Sequence, residues 1–281
     1  MKIRGEQVRL LRKKLGLSQT ELAQGICTQA TVSLIEKNNQ LPSMPILFQI
    51  CERLGVDVAD VLETTNNGLT DIFERIDNAV LADDAQLTAN LLNTIRIKQL
   101  RTGHDKQRYY YFLGMLQLMQ QSDPTEALFN FNLALKQFAA NETDIYQVMA
   151  TVAAGIAYLK NGDTPTAEQL AQKATKMTAG QLVGATARQL IALNLKLTQL
   201  NRQLDQLAVS LQHGKKAVAL CRHFETLFGI DQAFYQLAVT QLTMGDVTAG
   251  QQTLRIAESL GIVCQHPKLL SVIRQQQLKL S

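Results

Sequence analysis

The sequence predicts an all-α fold in two parts, a bundle of five short helices followed by an α-solenoid of stacked helix pairs. Three observations carry this prediction. Apolar residues recur at three- and four-residue spacing through most of the chain, and strand-like alternation does not persist. The 281 residues include no tryptophan and only five prolines, which suits helices. After residue 69, similar segments recur with a period of roughly 40 residues, as in helical repeat proteins.

Five short helices are predicted within residues 1–63, which form the first domain. The sequence SQTELAQGI carries a capping box, a pattern in which two side chains satisfy each other's free backbone amides at a helix start. The polar stretch TTNNG at 64–68 is the predicted linker, and residues 69–281 form the second domain. The predicted helix starts are Ser18 with Glu21, Thr28, Ser43 and Asp57, and the predicted closing glycines are Gly16 and Gly55.

The third predicted helix lies in the stretch GICTQATVSLIEKN and has two unlike faces. Val32 and Ile35 lie on one side, where they can pack on Leu22, Ile26 and Leu47. The opposite side carries small and polar groups that can enter a DNA major groove without clashing. A glutamine there can pair with adenine through two hydrogen bonds, and a methyl group can touch thymine. The predicted outward row is Gln29, Ala30, Ser33 and Lys37.

Positive charge is concentrated at the start of the chain. Residues 1–40 contain seven Lys or Arg and three Glu, and this excess equals the whole net charge of +4. A basic terminal unit indicates a polyanion such as DNA as partner. The alternative is an ordinary solvated basic helix face, and Lys13 and Lys14 fit either interpretation.

Several short motifs resemble the helix-turn-helix of phage-repressor-type (XRE) regulators. They are SQ-x-EL at 18–22, S-x-x-E from Ser33 to Glu36, PS at 42–43 and a helix ending in LGV. The similarity covers about residues 5–63. The GICTQ turn and the PSM-x-IL run, with the repeats behind them, resemble more narrowly the PlcR-like, RRNPP-type family of quorum-sensing regulators from Gram-positive bacteria.

This resemblance implies roles for individual residues. Gln19, at the start of the second helix, is expected to contact a DNA phosphate, and Thr28 and Gln29 to begin the recognition helix. Arg12 and Glu36 match a pair that relatives use as a buried bridge between helices. Leu34 departs from the family pattern, because relatives carry Arg or Gln there, and so the operator sequence cannot be carried over from a relative.

The repeat region resembles the tetratricopeptide pattern of paired helices. Small residues on two successive helices let each pair pack closely, and stacking of pairs buries the face that one pair leaves open. The clearest copy contains Gly155, Tyr158, Gly162, Ala167, Ala171 and Ala174. Further copies contain Gly114, Phe131 and Ala134, then Ala192 and Ala217, then Ala238, Gly245 and Ala257.

The first helix of each pair is expected to line a concave surface that could hold an extended peptide. Amide side chains there would pair with the peptide backbone, and apolar pockets would take its side chains. The alternative is that individual members of this set only pack one repeat against the next. The predicted inward residues are Arg108, Tyr111, Met115, Val152, Ile156, Gln189, Lys196, Gln232 and Tyr235.

The sequence disfavours other classes of protein. The four cysteines lack CxxC spacing and the four histidines are scattered, so no metal site, cofactor or disulfide framework is predicted. No Gly-rich phosphate loop or nucleophile constellation indicates an enzyme. The N-terminus lacks the apolar core of a signal peptide, and no segment is long and apolar enough to span a membrane.

The leading hypothesis is therefore a cytoplasmic, homodimeric transcription regulator that binds a palindromic operator and responds to a short signalling peptide. The second hypothesis keeps the DNA-binding domain but gives the repeats a protein partner, as in an antitoxin or a phage-type repressor.

Overall fold

The structure is a computed structural model that describes residues 2–56, 58–63, 67–120 and 123–278. The chain divides into two compact units, Met1–Ile72 and Phe73–Ser281, and the division falls within one helix. Residues 64–66 of the predicted linker and Asp57, the predicted cap of the fifth helix, lie outside the described residues. The predicted domain boundaries therefore stay a prediction, whereas the all-α fold class is confirmed.

The first unit contains the five predicted helices around one core. Two-residue strands, β1 (Lys2–Ile3) and β2 (Leu62–Glu63), pair antiparallel and tie the start of the chain to the end of the fifth helix. Val32, Ile35, Leu22 and Leu47 are all buried in this core, and Ile26 packs against it, as predicted. The helices are α1 (Gly5–Lys14), α2 (Gln19–Ala23), α3 (Gln29–Asn38), α4 (Met44–Leu54) and α5 (Val58–Val61).

The helix ends follow the sequence signals closely. Ser18 and Glu21 form the predicted capping box, with the Ser18 hydroxyl accepting from the Glu21 amide and the Glu21 carboxylate accepting from the Ser18 amide. Thr28 caps α3, and Gly55 ends α4 in the left-handed conformation that glycine favours. Ser43 occupies the cap position of α4 but its side chain makes no capping hydrogen bond.

The second unit is a stack of helix pairs. Helices α8 and α9 pack together, as do α10 with α11, α12 with α13 and α14 with α15. The first helices of these pairs, α8, α10, α12 and α14, also contact one another in succession and form the inner layer. The bounds are α6 (Asn67–Leu81), α7 (Ala85–Leu92), α8 (Gly103–Met119), α9 (Pro124–Asn132), α10 (Ile145–Lys160), α11 (Thr164–Met177), α12 (Ala187–Gln203), α13 (Leu207–His223), α14 (Ile230–Thr243), α15 (Val247–Val263) and α16 (Pro267–Leu278).

Gly114 shows why small residues recur at the contact between paired helices. A Cβ atom at Gly114 would lie 2.5 Å from a ring carbon of Phe131 on α9. We expect Gly114→Ala to destabilise the protein by about 1–3 kcal/mol, because the Phe131 ring must move in a close-packed core. Urea unfolding followed by circular dichroism measures the effect.

Gly103 on the same helix is the matched control, because a Cβ atom there meets nothing within 4 Å. Equal unfolding midpoints for Gly114→Ala and Gly103→Ala would contradict this description of the packing.

His213 is a buried histidine that joins three helices of the stack. Its Nδ1 lies 2.9 Å from the Asn194 side-chain oxygen, and its Nε2 lies 3.2 Å from the Thr175 hydroxyl. The Asn194 oxygen can only accept, so Nδ1 carries the proton and Nε2 accepts from Thr175. Burial, helped by the nearby charge of Lys216, lowers the pKa of His213 to about 4. The neutral imidazole is therefore the form that the fold accommodates.

This pKa predicts a loss of stability in acid. The unfolded chain binds the proton near pH 6.5 and the folded chain only near pH 4, so the stabilisation is complete above pH 6.5. It is lost as the pH falls from about 6.5 to about 4, by at most about 3 kcal/mol. The measurement is the free energy of unfolding between pH 7.5 and 4.5, compared with that of His213→Gln. The difference between the two proteins should shrink with acid, and a constant difference would contradict the assignment.

Candidate functional site

The outward face of α3 is exposed and free of acidic side chains. Gln29, Ala30 and Lys37 are exposed and Ser33 is half-buried, whereas Val32, Ile35 and Glu36 are buried. The helix begins at Gln29 because the Thr28 hydroxyl accepts a hydrogen bond from the Thr31 amide at 3.2 Å. The first residues of α3 are thus presented at a capped helix start.

The neighbouring helix α2 is fixed at both ends. Its start carries the Ser18–Glu21 capping box, and Gln19 is its first residue. At its other end, the Arg53 guanidinium on α4 donates to the backbone oxygens of Leu22 and Gln24, satisfying carbonyls that a short helix leaves open. Sequence reasoning missed this role of Arg53, because nothing local marks a contact across 31 residues.

A buried ion pair connects α1 to α3, as the family resemblance implies. Arg12 donates through Nε and Nη2 to the two carboxylate oxygens of Glu36, at 2.6 and 2.9 Å, and through Nη1 to the Leu17 backbone oxygen. Burial raises the pKa of Glu36, but the hydrogen bonds from Arg12 and Gln19 outweigh it, so that the pKa lies below its usual value. Glu36 is therefore ionised at neutral pH, on the buried side of α3.

Gln19 and Gln29 extend this pair into a hydrogen-bonded chain that reaches the protein surface. The Gln19 side-chain nitrogen donates to Glu36 at 2.8 Å, and the Gln19 oxygen accepts from the Gln29 nitrogen at 2.7 Å. The buried carboxylate of Glu36 sets the direction of both hydrogen bonds. A carboxylate only accepts, so Gln19 must turn its nitrogen towards Glu36 and its oxygen towards Gln29.

The orientation of the Gln29 amide has a direct chemical consequence. One N–H is used by Gln19, which leaves the Gln29 oxygen and one further N–H for an outside partner. One acceptor beside one donor matches the N6 and N7 edge of adenine in the major groove. Guanine presents two acceptors there and would require two donors. The four residues Arg12, Glu36, Gln19 and Gln29 are called the orienting chain below.

The remaining residues predicted to contact DNA are Lys13, Thr28 and Gln19, and their contacts stay predictions. Lys13 is exposed on α1, and Thr28 is exposed at the cap of α3. Gln19 is half-buried and its side chain already serves Glu36 and Gln29, so a phosphate contact would fall to its free N–H or its backbone amide. The phosphate role of Gln19 stays a prediction.

In the second unit, a buried polar cluster joins four helices. The Arg108 guanidinium lies 4.5 Å from the ring centre of Phe73 and 4.8 Å from that of Tyr146. Gln189 donates to the Tyr146 hydroxyl at 3.1 Å. Burial raises the pKa of Asp77 to about 6 despite Gln189 and Arg108, and one oxygen of Asp77 has no hydrogen-bond partner. The cluster therefore fills part of the inner layer, where the sequence predicts contacts with an outside ligand.

Four of the residues predicted to line the inner surface are buried, so the prediction is wrong about their exposure. Tyr111 is 1% exposed, Met115 3% and Gln189 3%. Tyr111 packs among the rings of Phe112, Phe131 and Tyr146, and Gln189 forms a capping box with Thr186 at the start of α12. Val152 is fully buried as well. Helical spacing predicts which residues share one face of a helix, but it does not predict which neighbouring helix covers that face.

The other predicted contacts keep accessible surface. Arg108, Ile156, Lys196, Gln232 and Tyr235 are half-buried. Burial lowers the pKa of Lys196, against the nearby charge of Asp83. Among the described residues, no group of three or more His, Cys, Asp or Glu side chains is placed to hold a metal ion. No helix in the described part of the chain is long and apolar enough to cross a membrane.

Comparison with known proteins finds a family model for the first unit and solved structures that match nearly the whole chain. Residues 8–61 match the helix-turn-helix family model. No curated protein matches the sequence. Among solved structures, PlcR of Bacillus thuringiensis, in complex with the peptide PapR7 and DNA, is 15% identical, with a TM-score of 0.75 over 97% of this chain and 99% of PlcR.

The chain has the fold of PlcR. ComR of S. thermophilus, in complex with DNA and its signalling peptide ComS, is 14% identical, with a TM-score of 0.69 over 98% of each chain. The SHP pheromone receptor Rgg2 of Streptococcus dysgalactiae is 13% identical, with a TM-score of 0.63 over 99% of each chain. The resemblance stated from the sequence is thus confirmed at the level of the fold.

Proposed function

We propose that the protein is a sequence-specific, DNA-binding transcription regulator controlled by a short signalling peptide. The observation that carries the proposal is the orienting chain, which fixes the Gln29 amide on an exposed helix face with one acceptor and one donor free. A surface helix without a partner has no need for an exposed amide that is held in one orientation. The proposal assigns the protein no catalytic activity and places it in the cytoplasm.

The DNA partner is a palindromic operator bound by a homodimer. One recognition helix α3 per protomer enters the major groove, so half-sites lie about 34–36 Å apart, or a multiple of that distance. Gln29 reads adenine. Neighbouring groups of the DNA are contacted by Thr28, Ala30 and Ser33. The phosphates are contacted by Gln19, Lys13 and Lys37. PlcR and ComR, both solved with DNA and a peptide, support this arrangement.

The peptide partner is assigned to the inner layer of the repeat unit. Polar atoms without partners lie on half-buried side chains of α12 and α14, namely Arg202 Nε and Gln241 Oε1. An unmade hydrogen bond in a buried site is costly, and the amides of an extended peptide supply both donors and acceptors. Arg108, Lys196, Gln232 and Tyr235 are the accessible residues of the original set that remain as contacts.

Selection of binding sites from random duplexes by the full-length protein tests the DNA half of the proposal. The expected result is a two-fold symmetric consensus that contains adenine in each half-site. Binding should weaken steeply as salt is raised, because counterions are released from the DNA. Recovery of unrelated sequences, or affinity that is indifferent to salt, would overturn the proposal.

A library of short synthetic peptides tests the peptide half. Some members should change the affinity of the protein for the selected duplex, and Gln232→Ala on α14 should weaken that response. Gln169→Ala is the matched control, because Gln169 is exposed on α11, outside the inner layer. A stoichiometric protein that copurifies with the chain, with no response to any peptide, would favour a protein partner for the repeats.

A further inference from the structure

Leu34 is the one large apolar side chain exposed on the recognition helix α3, all of whose residues the structure describes. It is 41% exposed and is absent from the domain core and from the apolar residues that pack on it. The other exposed residues of α3 are Gln29, Ala30, Lys37 and Asn38. Leu34 is therefore not part of the core of this domain.

The position of Leu34 places it on the same face as the groups assigned to DNA. It lies one turn beyond Ala30 and about 40° around the helix from it, so the two side chains form a continuous apolar strip. Lys37 and Ser33 lie about 20° and 60° around the helix from Ala30, both on the side away from Leu34. Val32 and Ile35 point into the core from the opposite side of α3.

The separation of Leu34 and Gln29 on α3 places the two side chains against different bases. Five residues correspond to a rise of about 7.5 Å along the helix. The two side chains also diverge by about 140° around the helix axis, so they meet different bases rather than one. A helix that reads adenine with Gln29 presents Leu34 to a second base edge in the same half-site.

We propose that Leu34, together with Ala30, reads the 5-methyl group of a thymine. This inference rests on the proposed DNA-binding function. In the major groove the thymine methyl is the one base-edge group without hydrogen-bonding capacity, and it is the natural partner of an apolar side chain. A leucine also excludes water from a base edge that seeks hydrogen bonds, so cytosine at this position is disfavoured.

Single replacements of thymine by deoxyuridine in the selected duplex test the proposal. Deoxyuridine lacks only the methyl group and keeps every hydrogen bond of the base pair. For the unmodified protein, one replacement in a single half-site should weaken binding about fourfold, the factor that corresponds to about 0.8 kcal/mol for one buried methyl-sized group. For Leu34→Ala the same replacement should have no effect.

Leu10→Ala is the control, because Leu10 is an exposed leucine on α1 and its loss should leave the deoxyuridine effect intact. Thermal unfolding of Leu34→Ala should match that of the unmodified protein, since Leu34 lies outside the core. Deoxyuridine without effect at every position, or an equal effect in Leu34→Ala, overturns the role of Leu34 while leaving the proposed function intact. A selection that yields no consensus overturns both.

Discussion

Replacing Glu36 with alanine is expected to destabilise the N-terminal domain by about 3–5 kcal/mol. The Arg12 guanidinium would remain in a buried site without its anion, since the side chains of the pair are 9% and 1% exposed. Urea unfolding of the full chain measures the loss. Glu52→Ala serves as control, because Glu52 is exposed on α4 and its removal should change the unfolding midpoint little.

A double variant separates the stability that Glu36 provides from the orientation that it provides. Arg12→Met with Glu36→Leu replaces the buried pair by apolar side chains and should recover most of the lost stability. Gln19 would still lack its carboxylate acceptor, and the direction of its hydrogen bond with Gln29 would no longer be fixed. The double variant should therefore fold but discriminate poorly between duplexes. Full discrimination by this variant would show that the orienting chain is only structural.

Gln29→Ala is expected to weaken binding to the selected duplex by about 2–6 kcal/mol, because each of the two protomers loses one bidentate contact worth about 1–3 kcal/mol. The loss should be confined to one base pair in each half-site. Replacing the adenine there should harm the unmodified protein but not the variant. Anisotropy titrations at equal salt measure these affinities.

The fold of Gln29→Ala should be unchanged, because Gln29 is exposed. Gln49→Ala, an exposed glutamine on α4, is the matched control and should bind as the unmodified protein does. If Gln29→Ala kept the adenine preference, α3 would have to enter the groove in a different orientation.

Much of the N-terminal domain could be predicted from sequence because its signals are local. The Ser18–Glu21 capping box, the Thr28 cap and the alternation of Val32 and Ile35 with exposed residues each lie within one helix. The Arg12–Glu36 pair came from family resemblance instead, since 24 residues separate its members. The link from Gln19 to Gln29 needed the structure, because it depends on how α2 crosses α3.

The repeat unit was less predictable, for a physical reason. Its helix pairs follow from small residues such as Gly114, whose contact with Phe131 leaves no room for a side chain. The exposure of Tyr111 and Gln189 depends instead on how successive inner helices rotate against one another. Helical periodicity contains no information on that rotation. A five-residue π-helical turn, Leu133–Gln137, was likewise not foreseen, and the Gln107 side chain donates to the Ala134 oxygen within it.

The most direct test of the account is one competition titration of the full-length protein. A labelled selected duplex competes with its unlabelled copy or with a duplex of the same bases in scrambled order, at two salt concentrations. The account predicts that the selected duplex binds at least about a thousandfold more tightly than the scrambled one. It also predicts that both affinities fall steeply with salt. Equal affinities for the two duplexes would contradict the claim that this chain reads DNA sequence.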